Sequence, residues 1–229
     1  MKRFGLAMVA MLICAAALPA RAAAPWVEGT NYTVLSPAQP TTVPKGKVEV
    51  MEIFSYACPY CYKFQPAIHR LERTLPRNAQ MVFLPASFIP TEDWPMFQQA
   101  YFAAQSLGIA SRTHEAIYDA VWKTGQLATV DPATHRLKQP LPTLYDAALV
   151  YAHLTGISPS KFLAAARSFG VATEMREADA QIEAMQIPGT PGIVVDGKYR
   201  VDMQSLKSDD EVISLVKFLV AKASKHPHA

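Results

Sequence analysis

The sequence predicts a mixed α/β fold: a small mixed sheet flanked by helices and interrupted by an all-helical insertion. Three observations carry the prediction. Strand, helix and strand patterns follow one another between residues 48 and 85. A long run of capped helical segments then reaches residue 186, and strand sequence returns at Gly192 before a last helix. The order is β-α-β, a helical block, then β-β-α, with no repeat and no low-complexity tract.

Taken in order, Pro37, Pro40 and Pro44 mark Ser36 to Gly46 as an irregular lead-in. Val48 to Phe54 reads as a buried strand. Pro59 suits a first helical turn, where a missing N–H costs nothing. That helix continues through Phe64, Ile68, Leu71 and Leu75, with a kink expected at Pro66. Gln80 to Phe83 reads as a second strand, ended by Pro85. In the helical block, Met96, Phe97, Ala100, Tyr101, Ala104 and Leu107 share one face, closed by Gly108. Ser111 is the expected cap of a helix carrying Ile117, Val121 and Trp122, which stops at Gly125. Thr143-x-x-Asp146 opens a third helix, with Leu149, Val150 and His153, ending at Gly156. Ser158-Pro159 opens a fourth, closed by Gly170, and Thr173 a fifth, with Met175, Ala178, Ile182 and Met185. Gly192 to Val195 and Lys198 to Val201 flank the hairpin turn Asp196-Gly197. Asp209-Asp210-Glu211 then places acids at the start of a helix from Val212 to Ala221.

The first 22 residues read as a signal peptide. Lys2 and Arg3 precede an apolar stretch from Leu6 to Leu18, and Ala20-Arg21-Ala22 has the small-x-small cleavage pattern. The stretch is too short for a comfortable membrane span. Cys14 lies within it and is expected to leave with it. Removing Lys2, Arg3 and Arg21 from the 22 basic side chains leaves 19 against 19 acidic ones, so the formal charge of +3 belongs to the leader. No basic excess remains to suggest nucleic acid or an anionic membrane surface. Export places the remaining thiols in an oxidising compartment, here the periplasm. The expected organisation is a leader over 1–22, a lead-in over 23–46, a core over 47–90 and 187–223, a helical insertion over 91–186, and a tail over 224–229.

Cys58-Pro59-Tyr60-Cys61 follows directly on the strand at 48–54 and opens the next helix. A C-x-x-C in that setting is a thiol–disulfide signature. The helix N-terminus carries partial positive charge, which stabilises a thiolate on the first cysteine. A structural disulfide is the plain alternative, but so short a loop restrains little chain entropy. A zinc site needs three or four ligands, and only two thiols remain after the leader. No metal and no organic cofactor is expected. His69 reads as a surface or packing residue, and His114, His135 and His153 as ordinary helix or loop residues. Phe88, Trp94, Phe97 and Tyr101 are candidates for an apolar groove, with core packing the simpler role.

The run Val50 to Phe64, around Cys58-Pro59-Tyr60-Cys61, together with Gly189-Thr190-Pro191-Gly192-Ile193-Val194-Val195-Asp196-Gly197-Lys198-Tyr199, resembles the DsbA family; so do Glu28-Gly29 and Tyr32. That resemblance implies a thioredoxin fold with a helical insertion and a periplasmic thiol:disulfide oxidase. It implies that Pro191 is cis beside the active-site disulfide, with the backbone of Thr190 free to pair with an extended substrate segment. It implies a buried acid at Glu52 that assists proton transfer, with Phe83 standing where the archetype has a lysine; Glu52 should then titrate high. The implied partners are unfolded or reduced exported proteins, and a membrane quinone-linked oxidase of the DsbB type. Two residues depart from the usual DsbA pattern. Tyr60 stands where a histidine is common, and Thr190 where a valine is common; Thr190 resembles the DsbC and DsbG isomerases, and the Pro59-Tyr60 dipeptide resembles DsbG. A disulfide isomerase or reductase is therefore the alternative enzyme. A periplasmic peptide-binding or holdase protein with a structural disulfide is the alternative of another class. Only about 25 residues separate the cleavage site from the first core strand, well short of the ~50 a domain needs, which favours a monomeric oxidase.

Overall fold

The computed structural model describes residues 26–131 and 133–225. The leader at 1–22, with Cys14, and the last four residues of the expected tail lie outside them.

Strand β2, Val48–Phe54, is buried along its whole length. It is flanked by the parallel strand β3, Ala79–Pro85, and the antiparallel strand β4, Gly192–Val195. A central strand covered on both faces has no need to alternate, which is why it reads as a near-continuous apolar run. Strand β5, Tyr199–Val201, pairs with β4, and β1, Tyr32–Val34, pairs antiparallel with β5. The sheet order is β1-β5-β4-β2-β3. The β1 strand corrects the reading of residues 23–46 as a mere lead-in. Three residues are too few to show alternation, and their pairing with β5 is set by the far end of the chain.

Helix α1, Pro59–Thr74, and helix α7, Asp209–Lys225, cover one face of the sheet. Phe64, Ala67, Ile68 and Leu71 of α1 pack there with Val212, Leu215, Val216 and Leu219 of α7 on Val50, Ile193 and Val195. The other face meets the helical block: α2 (Trp94–Ser106), α3 (Ala110–Trp122), α4 (Leu144–Thr155), α5 (Pro159–Ala166) and α6 (Phe169–Ala184). Trp94, Phe97 and Tyr101 are buried in this second core, whereas Phe88 is exposed. The arrangement matches the expectation of a small mixed sheet with a helical insertion.

Local chemistry explains most helix ends. Thr143 and Asp146 form a capping box on α4: the Thr143 backbone N–H donates to Asp146 Oδ2 at 2.7 Å, and Asp146 N–H to Thr143 Oγ1 at 3.3 Å. Three boundaries differ from expectation. Helix α6 starts at Phe169, because Ser168 Oγ accepts the Val171 N–H at 3.2 Å, so Gly170 and Thr173 lie inside the helix. Helix α3 starts at Ala110 with no side-chain cap, and Ser111 is its second residue. Gly108 turns the chain at φ +68°, and the Ile109 N–H then donates back to Ala104 O at 2.9 Å, so the turn out of α2 sets where α3 begins. Helix α7 runs through Ser224 and Lys225, assigned above to the tail, with Asp209, Asp210 and Glu211 forming its first turn.

The β4–β5 turn has a demanding geometry. Gly197 sits at φ +59°, and a Cβ there would lie 2.0 Å from the Gln39 carbonyl oxygen. The Gln39 N–H also donates to the Gly197 carbonyl at 2.8 Å. Gly197→Ala should therefore lower stability by about 2 kcal/mol or more, since strained φ and a backbone clash act together. The midpoint of urea denaturation checks this, and a midpoint equal to wild type would contradict it.

Candidate active site

The site forms where β2 ends and α1 begins. After Phe54 the chain turns through Ser55, Tyr56 and Ala57, and the turn is closed on itself: the Cys58 N–H donates to Ser55 O at 3.1 Å and the Ala57 N–H to Ser55 Oγ at 3.2 Å. Cys58 is the N-cap of α1 with extended backbone, φ −81° and ψ 116°, and Pro59 opens the helix. An N-cap side chain faces the unpaired N–H groups of the first turn, and here the capping atom is sulfur. The Cys61 N–H donates to Cys58 Sγ at 3.4 Å. Both cysteines are free thiols and both are buried, while Tyr60 between them is exposed.

The two thiols are driven apart. Hydrogen bonding from the Cys61 thiol leads the effects that lower Cys58 from its usual 9.0 to about 6. Burial opposes this, and the Thr190 hydroxyl and the backbone N–H groups of Cys61 and Tyr60 add to the lowering. Cys61 goes the other way: burial, the Cys58 sulfur and the Glu52 carboxylate all push it well above its ordinary range. The outer sulfur is stabilised as a thiolate and the inner one is held as a thiol. Thr190 reaches Cys58 from the loop before β4. Cys58 Sγ–H donates to Thr190 O at 3.5 Å, and the Thr190–Pro191 bond is cis.

Glu52 is completely buried, and neither carboxylate oxygen has a hydrogen-bond partner. Its neighbour across the β2–β3 ladder is Phe83, which offers no charge. Burial first, and the Cys58 charge second, raise its pKa well above the carboxylate range. The contrast with Glu49, three residues earlier on the same strand, is instructive. Glu49 is equally buried, but its Oε2 accepts from the Thr42 N–H at 2.6 Å and Thr42 Oγ1 at 2.8 Å.

Three residues beside the cysteines escaped the sequence reading. His114, taken above for an ordinary helix residue, is buried against Phe54, Tyr56, Phe83, Tyr101 and Tyr118. Its Nδ1 lies 3.0 Å from the Tyr56 hydroxyl. Burial, with a smaller effect of His69, lowers its pKa to about 3, so the ring is neutral. Trp122 donates its indole N–H to the Tyr56 carbonyl at 2.8 Å. The spacing of His114, Ile117 and Val121 puts His114 on the apolar face of α3, a signal that was present in the sequence. Among the described residues, no group of three or more His, Cys, Asp or Glu side chains is arranged to hold a metal ion.

Glu52 should leave a mark on stability. An acid whose folded pKa is raised binds its proton more tightly when folded. Below its unfolded pKa both states are protonated and there is no penalty. As pH rises above about 4.5 the unfolded state loses its proton first, and stability falls until the folded pKa is passed. In the oxidised protein, where Cys58 cannot ionise, Glu52→Gln should flatten this decline and gain on the order of 1 kcal/mol at pH 7.5. Denaturant titrations between pH 4.5 and 8 measure it, and parallel curves for the two proteins would contradict it.

Comparison with known proteins agrees with this geometry. Residues 49–211 match the family model described as a DSBA-like thioredoxin domain. The thiol:disulfide interchange protein DsbA of Pseudomonas aeruginosa (strain PAO1) is 32% identical over 197 residues, covering 86% of this chain and 85% of that protein. Its counterpart from Azotobacter vinelandii is 33% identical over 206 residues, covering 84% and 88%. The crystal structure of Pseudomonas aeruginosa DsbA superposes with a TM-score of 0.72 at 32% identity, covering 87% of this chain and 95% of that one. The oxidoreductase DsbA of Xylella fastidiosa superposes with a TM-score of 0.75 at 27% identity, covering 88% and 98%. The chain therefore belongs to the DSBA-like thioredoxin domain family and is a thiol:disulfide oxidoreductase.

Proposed function

We propose that the chain is exported to the periplasm, loses residues 1–22 there, and as a monomer donates a Cys58–Cys61 disulfide to reduced or unfolded exported proteins. The opposed behaviour of the two thiols is the observation that carries this reading: Cys58 is lowered to about 6 and Cys61 is raised. A substrate thiolate attacks Cys58 Sγ, forming a substrate–Cys58 disulfide and breaking the Cys58–Cys61 bond. Cys61 departs with the electron pair and takes up a proton, as its raised pKa demands. Glu52 is the acid beside it and the source or carrier of that proton. A second substrate thiolate then attacks the substrate sulfur of the mixed disulfide and expels Cys58. A low-pKa thiolate is a good leaving group, so the reduced enzyme is favoured and the chain is oxidising. Two electrons have passed from the substrate dithiol to the enzyme, and a membrane quinone-linked partner of the DsbB type removes them. Pro59 and Tyr60 form the rim of the site, and the Thr190–Pro191 loop receives the substrate backbone.

Tyr60 and Thr190 leave isomerase activity as the second reading, because both depart from the usual DsbA pattern. The oxidase reading is favoured by the strength of the thiolate stabilisation, to which the Thr190 hydroxyl itself contributes. The monomer reading draws on the use made of residues 26–47. Tyr32–Val34 completes the sheet and Thr42 bonds Glu49 Oε2, so this segment is spent on the fold.

The reduced form should gain stability relative to the oxidised form as pH rises from 5 to 8. A folded pKa depressed from 9.0 to about 6 contributes fully above the unfolded value and is lost as pH falls through about 6. The gain is on the order of 1 kcal/mol at pH 7 and about 2 kcal/mol at pH 8, comparable with the ~2 kcal/mol that closing a four-residue disulfide loop contributes to the oxidised form. Denaturation of both forms at pH 5 and pH 8 tests it, and a stability difference that does not move toward the reduced form would contradict the oxidising mechanism.

For the function as a whole, the purified mature chain should sediment as a monomer and oxidise reduced substrate faster than it repairs scrambled substrate. Cys58→Ser should abolish activity, and Cys61→Ser should accumulate mixed disulfides with exported proteins. A dimer that works faster on scrambled substrate would establish the isomerase reading. Activity that survives Cys58→Ser would establish the binding-protein reading.

A further inference from the structure

Helix α3 of the insertion touches the residues on either side of the redox pair, and one residue makes both contacts. The Trp122 indole N–H donates to the carbonyl of Tyr56, two residues before Cys58, at 2.8 Å. The same indole ring stacks on Tyr62, the residue after Cys61, with centroids 5.9 Å apart and planes 15° apart. Just over two turns earlier on the same helix, His114 Nδ1 lies 3.0 Å from the Tyr56 hydroxyl. Tyr56 is thus pinned at its carbonyl and at its ring, and the turn it belongs to presents Cys58 Sγ to the Cys61 N–H.

We propose that Trp122 is a positioning residue for the redox pair, tying the turn before Cys58 to the first turn of α1 so that the Cys58 sulfur stays on the helix N-terminal N–H groups, with His114 as the second anchor of the same turn. The physical reason lies in the length of the sulfur contact. An N–H to sulfur bond at 3.4 Å is held by the backbone on either side, and apart from Trp122 and His114 the turn from Ser55 to Ala57 is closed by bonds to Ser55. Freed at the Tyr56 carbonyl, the turn can rotate and swing the sulfur off the helix axis, where the favourable field falls away within one turn. The carbonyl of Tyr56 would also lose a buried donor that nothing else in the turn replaces.

The inference rests on Cys58 and Cys61 being the redox pair, and the experiment separates the two claims. The variant is Trp122→Phe, which keeps an aromatic ring over Tyr62 and removes the N–H. Cys58 ionisation is followed by thiolate absorbance against pH, and the disulfide equilibrium by titration with glutathione. Wild type with no thiol titrating below the ordinary range would sink the reading of the pair itself. With wild type as expected, Trp122→Phe should raise the Cys58 midpoint by about half a unit and shift the glutathione equilibrium about threefold toward the oxidised enzyme. A variant that loses thermal stability while both redox readouts equal wild type shows a packing role only and overturns the proposal. Should Trp122→Phe fail to fold, hydrogen exchange of the indole N–H in the wild type decides. Strong protection in both redox states supports the tie, and exchange at the rate of a free indole overturns it.

Discussion

One contact organises the site: the Cys58 sulfur caps helix α1 and accepts from the Cys61 N–H. A helix N-terminus always presents unpaired N–H groups, and an ordinary protein satisfies them with a serine or aspartate oxygen. Sulfur in that place ties folding to redox state. The helix gains a better cap when the sulfur is an anion, so the reduced form is stabilised by the same field that makes Cys58 a good leaving group. The rest of the fold serves to hold that geometry. Strand β2 aims the turn, α7 and the sheet fix α1, and the insertion closes over the turn from the other side.

The interior around the pair is costly in a way that suggests use. Both oxygens of Glu52 lie buried with no partner, next to Phe83, whereas Glu49 on the same strand has one of its two oxygens bonded by Thr42. An unsatisfied buried carboxylate works against stability and is relieved by protonation. In the proposed mechanism this exchanges stability for a proton available to Cys61, the thiol that is protonated as it leaves. Around it Tyr56, Tyr101, Tyr118 and His114 build a wall of aromatic rings in edge contacts with Phe54 and one another. That wall keeps water away from the inner thiol and so keeps its pKa high.

The helical insertion is more than a lid. Its α2 residues Trp94, Phe97 and Tyr101 fill the core that the sheet cannot close alone, and its α3 residues reach the turn before Cys58. Because α3 is anchored in that core, the position of the turn depends on packing formed by residues about 40 to 65 positions away in the chain. The insertion and the redox chemistry are mechanically joined at Tyr56.

Some of this was readable directly from the residue order. The buried run at 48–54, the C-x-x-C beside a proline at a helix start, the capping box at Thr143 and Asp146, and the acids opening α7 each act through neighbours in sequence. Local rules therefore apply to them. Other features depend on groups brought together from far apart. Strand β1 exists because β5 presents an edge to it, and no three-residue pattern announces that. Ser168 and not Thr173 caps α6, although both residues are competent caps, because Ser168 is the one whose backbone is extended there. His114 looked ordinary in the sequence because burial is decided by what packs on it, here Phe54, Phe83 and the tyrosines. The sequence alone thus determined the chemistry, two thiols and the helix that polarises them, since that is a matter of a few adjacent residues. The tertiary structure decided the environment, how far burial raises the inner thiol, which acid lacks a partner and which indole holds the turn, since desolvation and long-range hydrogen bonds exist only once the chain is packed.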